Sequence, residues 1–182
     1  MTWGDLGFVS KNLEESPRMG KFVLGIGNTL LRDEGVGCHV AHALERMPLP
    51  DVQVIDGGTC PGVLQLLEDA DKVVIVDAVD GGGMPGQIYR FHLEDITVEQ
   101  KSFLSLHDVG LVDELMQMQL WNNISEAVVI GIEPGEISWG LELSPEIQGR
   151  MPQIIDTILS ELGTSADASI KREEQGERVK ER

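Results

Sequence analysis

The segment Phe22-Val-Leu-Gly-Ile-Gly-Asn-Thr-Leu-Leu-Arg-Asp-Glu-Gly-Val-Gly37 constrains this chain more than any other. A short apolar run, Phe22–Ile26, ends in Gly25-x-Gly27-Asn28. An acidic pair, Asp33-Glu34, then separates that turn from an amphipathic stretch. The pattern is a buried strand passing its chain to a glycine turn and then to a helix, the opening of an α/β fold. The acids argue against the usual employment of such a turn, because a phosphate at a helix N-terminus is repelled by two carboxylates. Leu30 also occupies the place of the third glycine in G-x-G-x-x-G, so the dinucleotide fingerprint fails.

Apolar strands and amphipathic helices continue to alternate. Glu34–Met47 sets Val36, Val40, Ala43, Leu44 and Met47 on one helical face, and Pro48 and Pro50 stop the helix. Val52–Ile55 reads as a second strand, Asp56–Gly62 as a turn and Val63–Leu67 as a short helix. Lys72–Val76 is almost entirely β-branched, as suits a central parallel strand. Gln87–His92 alternates like a more exposed strand after the Gly81–Gly86 loop. Asp108–Leu120 is helical with Leu111, Val112, Leu115 and Met116 inward, and Ala127–Ile132 is the last buried strand. Ile154, Ile155, Ile158, Leu159 and Leu162 form the stripe of a final helix, with Pro152 as its first-turn residue. The expectation is a three-layer α/β/α sandwich around a mainly parallel sheet.

Residues 1–20 show no periodicity and are read as an irregular extension, 21–163 as one domain, and 164–182 as a charged, disordered tail. Met19 is an alternative start. The net charge of −17 resides almost wholly between Lys21 and Leu162. Such a domain repels a phosphate backbone, so nucleic acid is not an expected partner. Metal cations and basic peptides remain compatible. With no long apolar run and no signal-type N-terminus, the expectation is a cytoplasmic monomer away from membranes. Cys38 and Cys60 form no C-x-x-C pair and are expected to be reduced, buried packing residues.

Ligands of open α/β sheets bind beyond the carboxyl ends of the strands. Glu34 follows the first strand, Asp56 ends the second and Asp77 ends the third, while Ser105-Leu-His-Asp108 brings His107 toward the fourth helix. Two carboxylates and an imidazole make a workable ligand set for a divalent transition metal. Each residue also has a plainer use. Asp33 or Glu34 offsets a helix dipole, Asp56 makes an Asx turn, Asp77 satisfies backbone amides, and His107 stands beside a capping Asp108. His39 and His42, at i and i+3, lie off the apolar stripe and are read as surface residues, as is His92.

These residues resemble the hydrogenase maturation proteases. The likeness runs through Gly25–Gly37, Asp56-Gly-Gly-Thr59, Val74-Ile-Val-Asp-Ala78, Ser105–Leu111, Gly131-Ile-Glu-Pro134 and Leu143-Ser-Pro145, in order along nearly the whole domain. The resemblance implies a twisted five-stranded sheet and an endopeptidase that trims the C-terminus of a NiFe hydrogenase large-subunit precursor carrying nickel. It matches the family's metal-contacting positions to Glu34, Asp77 and His107, and a further family acid to Asp56. A non-enzymatic nickel chaperone of the same client is the alternative. The chain lacks H-E-x-x-H, a G-x-S-x-G elbow and a Cys–His nucleophile pair. The resemblance implies a working role for Asp56, for which holding or deprotonating a water beside the metal is the expectation.

Overall fold

A computed structural model of the chain describes residues 20–67, 70–95, 109–120 and 124–163. The N-terminal extension up to Met19, the tail from Thr164 and the Ser105–Asp108 loop lie outside the described residues. Five strands, β1 (Lys21–Ile26), β2 (Val52–Gly58), β3 (Ala70–Ala78), β4 (Ile88–His92) and β5 (Ile124–Ile132), form one sheet in the order β2-β1-β3-β5-β4. Only β4 runs antiparallel, on the outer side of β5. Helices α1 (Val36–Leu44) and α3 (Pro145–Glu161) cover one face, and α2 (Val109–Leu120) lies on the other.

Alternation along β1 shows why both faces need cover. Phe22 and Leu24 pack with Val73, Ile75, Leu64, Leu67 and Met118 on the α2 side. Val23 points the other way, with Val74, Val128, Val40, Leu44, Ile154 and Ile158. The three-layer sandwich expected from the sequence is the architecture observed.

Several boundaries differ from the sequence reading. The first helix begins as a 3-10 turn, Arg32–Gly35, before α1 proper, and β2 runs on through Asp56 to Gly58. A register shift opposite Gly25 and Ile26 accommodates that extension as a bulge. Pro152 does not open the last helix; it lies inside α3. Ser144 is the true cap, accepting a hydrogen bond from the Ile147 N–H, and Pro145 occupies the first turn. Pro152 is tolerated because it and Gln148 are exposed, so the carbonyl deprived of a partner faces water. Cys60 is exposed rather than buried, since it falls in the turn beyond the end of β2.

The carboxyl edge of the sheet is shaped by backbone approaching backbone. A Cβ on Gly25 would lie 2.1 Å from the Gly37 carbonyl oxygen, and one on Gly37 would lie 2.1 Å from that of Val76. The first turn of α1 thus rests directly on β1 and β3. Far from that edge, Lys72 Nζ on β3 lies 2.9 Å from Glu126 on β5 and 2.7 Å from Glu161 on α3, while Arg90 of β4 bonds Glu161 at 2.6 Å. Arg90 and Lys72 together hold the Glu161 carboxyl down at about 2, well below the usual carboxylate range.

Gly37→Ala should lower stability by more than about 2 kcal/mol, read from the urea midpoint, because the clash is with main chain that cannot swing aside. Glu161 binds its proton more weakly folded than unfolded, so its contribution is complete above its ordinary value of 4.5 and fades as pH falls toward about 2. Glu161→Gln should accordingly flatten the decline of thermal midpoint across that window while lowering the midpoint at pH 7.

Candidate functional site at the carboxyl edge of the sheet

β1 exits toward α1 and β2 on one side, while β3 lies on its other side, so the sheet has its switch point between β1 and β3. The three acids proposed from sequence come from strands that are indeed neighbours. Asp56 of β2 and Val76 of β3 both pair across Gly25, and Asp77 follows Val76. Two strand spacings, about 10 Å between main chains, separate the acid positions on β2 and β3.

Glu34 is carried by the 3-10 turn after β1 and is 5% exposed. Its place is fixed by its neighbour. Asp33 is fully buried; its Oδ2 accepts from the Gly135 N–H at 2.9 Å and the Glu136 N–H at 2.7 Å, and its Oδ1 from the Ser144 N–H at 2.7 Å. Leu31 and Gly140 form a bridge reinforced by the Arg32 N–H to Gly140 carbonyl bond of 3.0 Å. The segment leaving β5 is therefore a strap stitched across the turn that bears Glu34. Sequence suggested only a dipole role for Asp33, and no local signal reveals partners a hundred residues away. Ile137, Trp139 and Leu141 stand exposed along this strap, and Leu30 stands exposed on the turn opposite it.

Asp77 is also 5% exposed, and its Oδ1 accepts from the Ala78 N–H at 2.8 Å. Asp56 Oδ1 accepts from the Gly58 N–H at 3.1 Å, which is the Asx turn. The plain structural uses are thus present, and they account for one oxygen of each carboxylate. The other Asp56 oxygen, Oδ2, lies 2.8 Å from His42 Nε2.

Cys38 stands between the acids. Its thiol donates to the Gly27 carbonyl at 3.3 Å and is pushed up to about 12, chiefly by burial, then by the nearby Asp56 carboxylate, with Asp77 adding to the effect. A thiol so held stays protonated at neutral pH and is no nucleophile, despite a histidine one helical turn away. Gly27 links the remaining pieces. Its N–H bonds the Gly58 carbonyl at 3.0 Å, and at φ +134 it passes so close to the Glu34 carbonyl that no side chain fits.

Glu34, Asp56 and Asp77 therefore lie on one edge of the sheet, near the Gly27 turn and the start of α1. His107 lies outside the described residues, and among those residues no three His, Cys, Asp or Glu side chains form a metal cluster. His39 and His42 do not converge either. His39 Nε2 meets the Leu141 carbonyl at 3.1 Å, whereas His42 is half exposed and turned to Asp56. The surface reading holds for His42, but its carboxylate partner was not foreseen.

Residues 38–161 match the family model described as hydrogenase maturation protease. The chain is 34% identical to a putative hydrogenase maturation protease of Methanocaldococcus jannaschii, covering 77% of this chain and 94% of the relative. It is 31% identical to the hydrogenase 2 maturation protease of Escherichia coli, covering 83% and 95%. Among solved structures, the hydrogenase maturating endopeptidase HybD from E. coli superimposes with a TM-score of 0.68 at 25% identity, over 79% of this chain and 92% of that one. A hydrogenase 2 maturation peptidase from a Thaumarchaeota archaeon gives 0.61 at 33% identity, over 79% and 98%.

The two thiols should report this environment separately. In the folded protein at pH 8, a chromogenic disulfide reagent should react with Cys60 and leave Cys38 at least about 100-fold slower, becoming equal only in denaturant. Equal native rates would mean that Cys38 is neither buried nor held protonated.

Proposed function

The chain belongs to the hydrogenase maturation proteases, and from that premise we propose that it cuts a short C-terminal peptide from a nickel-loaded NiFe hydrogenase large-subunit precursor. The endopeptidase activity goes with the family. The client, its nickel and the residue roles are our reading, as are the cytoplasm as the compartment and a monomer as the working unit.

The observation that carries this reading is the pair of buried carboxylates, Glu34 and Asp77, at the switch point of a strongly acidic domain. Oxygen donors so placed favour a divalent cation, and a cation arriving with the client converts metal recognition into client recognition. Glu34, Asp77 and His107 are assigned to hold it. When bound, the metal polarises the scissile carbonyl or lowers the pKa of a water. The chain's own part is to orient. Glu34 is fixed by the strap through Asp33, and Asp56 is assigned to hold or deprotonate the attacking water. The exposed apolar side chains of the strap, beside Glu34, suit a protein client better than a small molecule.

The test is incubation with a nickel-loaded precursor, read as loss of the C-terminal peptide by mass. Glu34→Gln and His107→Ala should each abolish cleavage with the fold intact; normal processing by both would rule out recognition through the metal. Asp56→Asn should still bind precursor but cut at least about 100-fold more slowly. Loss of binding alone would move Asp56 from catalysis to recognition.

A further inference from the structure

Asp56 is clasped from two sides. One oxygen takes the Gly58 N–H at 3.1 Å, and the other takes His42 Nε2 at 2.8 Å. Donors on opposite oxygens define the plane of a carboxylate, whereas one donor leaves it free to rotate about its Cβ–Cγ bond. His42 stands four residues after Cys38 on α1, so the imidazole and the thiol lie one above the other on the helix face turned to β2. That helix is seated by the Gly25–Gly37 contact, so the donor is set on a rigid element.

We propose that His42 is the positioning residue of Asp56, holding its carboxylate in the plane from which it can hold and deprotonate the attacking water. The inference rests on the reading of Asp56 given above. A purely structural ion pair is the competing account, and it is weak. His42 is 48% exposed and Asp56 33%, and pairs so open to water contribute little to stability. The neighbouring donors also divide the work sensibly. Gly58 is the backbone of the same turn and moves with Asp56, while His42 belongs to a different element and ties the acid to α1. Facing a carboxylate oxygen, the ring must present its Nε2–H to Asp56.

Ala is a good helix former, so His42→Ala should fold as the parent does. With nickel-loaded precursor, its cleavage rate at saturating client should fall about tenfold, while the half-saturating concentration stays within about twofold. His42→Gln offers an N–H at similar reach and should bring the rate back to within about threefold of the parent. Rates for His42→Ala equal to the parent, or equal losses in Ala and Gln variants, would overturn the assignment. So would a loss expressed wholly as weaker client binding. Asp56→Asn separates the two layers. If it cuts at the parental rate, the role of Asp56 falls; if it is inactive while His42→Ala is unimpaired, only the role of His42 falls.

Discussion

The contact of α1 with the main chain of β1 and β3 is the constraint on which the rest of the molecule depends. Gly25 and Gly37 permit it, since a methyl group on either would sit about 2 Å from a carbonyl oxygen. The close seat brings the 3-10 turn with Glu34, the thiol of Cys38 and the imidazole of His42 down onto the ends of three adjacent strands. A helix held farther off would leave Asp56 and Asp77 on the sheet edge with nothing facing them. The same seat explains why Gly27 takes a positive φ: the chain has to reverse within a few residues while passing beneath the Glu34 carbonyl.

A second device works from the opposite end of the chain. The buried Asp33 carboxylate collects three backbone N–H groups from the strap that leaves β5 and from the cap of α3. Hydrogen bonds to a buried charge are strong, and removing the charge would leave the buried Ser144 N–H and the part-buried Gly135 and Glu136 N–H groups without that partner. Adjacent acids in Asp33-Glu34 thus divide between building and working. One fixes the frame through long-range bonds, and the other is delivered to the edge in a fixed position. The strap that Asp33 secures also presents Trp139 and Leu141 to solvent near the turn that bears Glu34.

The legible part of the fold was whatever repeats locally. Among the described residues, periods of two and 3.6 residues located the five strands and three α-helices, and β-branched composition marked β3 as central. Boundaries failed where a local signal had a stronger rival nearby. Pro152 looked like a helix opener, yet Ser144-Pro145 supplied both a cap and a first-turn proline. Asp56 reads as the start of a turn after Ile55, although β2 runs three residues farther, to Gly58, across a bulge. Cys60 reads as a packing residue by type alone, but its position in the turn after β2 leaves it exposed. At the edge, Glu34, Asp56 and Asp77 could be named because acids follow strands in an order that sequence records. The His42–Asp56 pair could not, because half-exposed histidines on a helix flank carry no mark of what lies opposite.

By itself, the sequence determined the element order, the apolar faces and the presence of acids at three strand ends, because side-chain periodicity and composition are properties of neighbours along the chain. Tertiary structure decided which strands lie side by side, which oxygen of each carboxylate is engaged, and that α1 turns Cys38 and His42 toward Asp56. Those outcomes depend on register and on helix-to-sheet distance. They are set by packing among residues distant in the chain, where a shift of one position would turn every side chain to the other face.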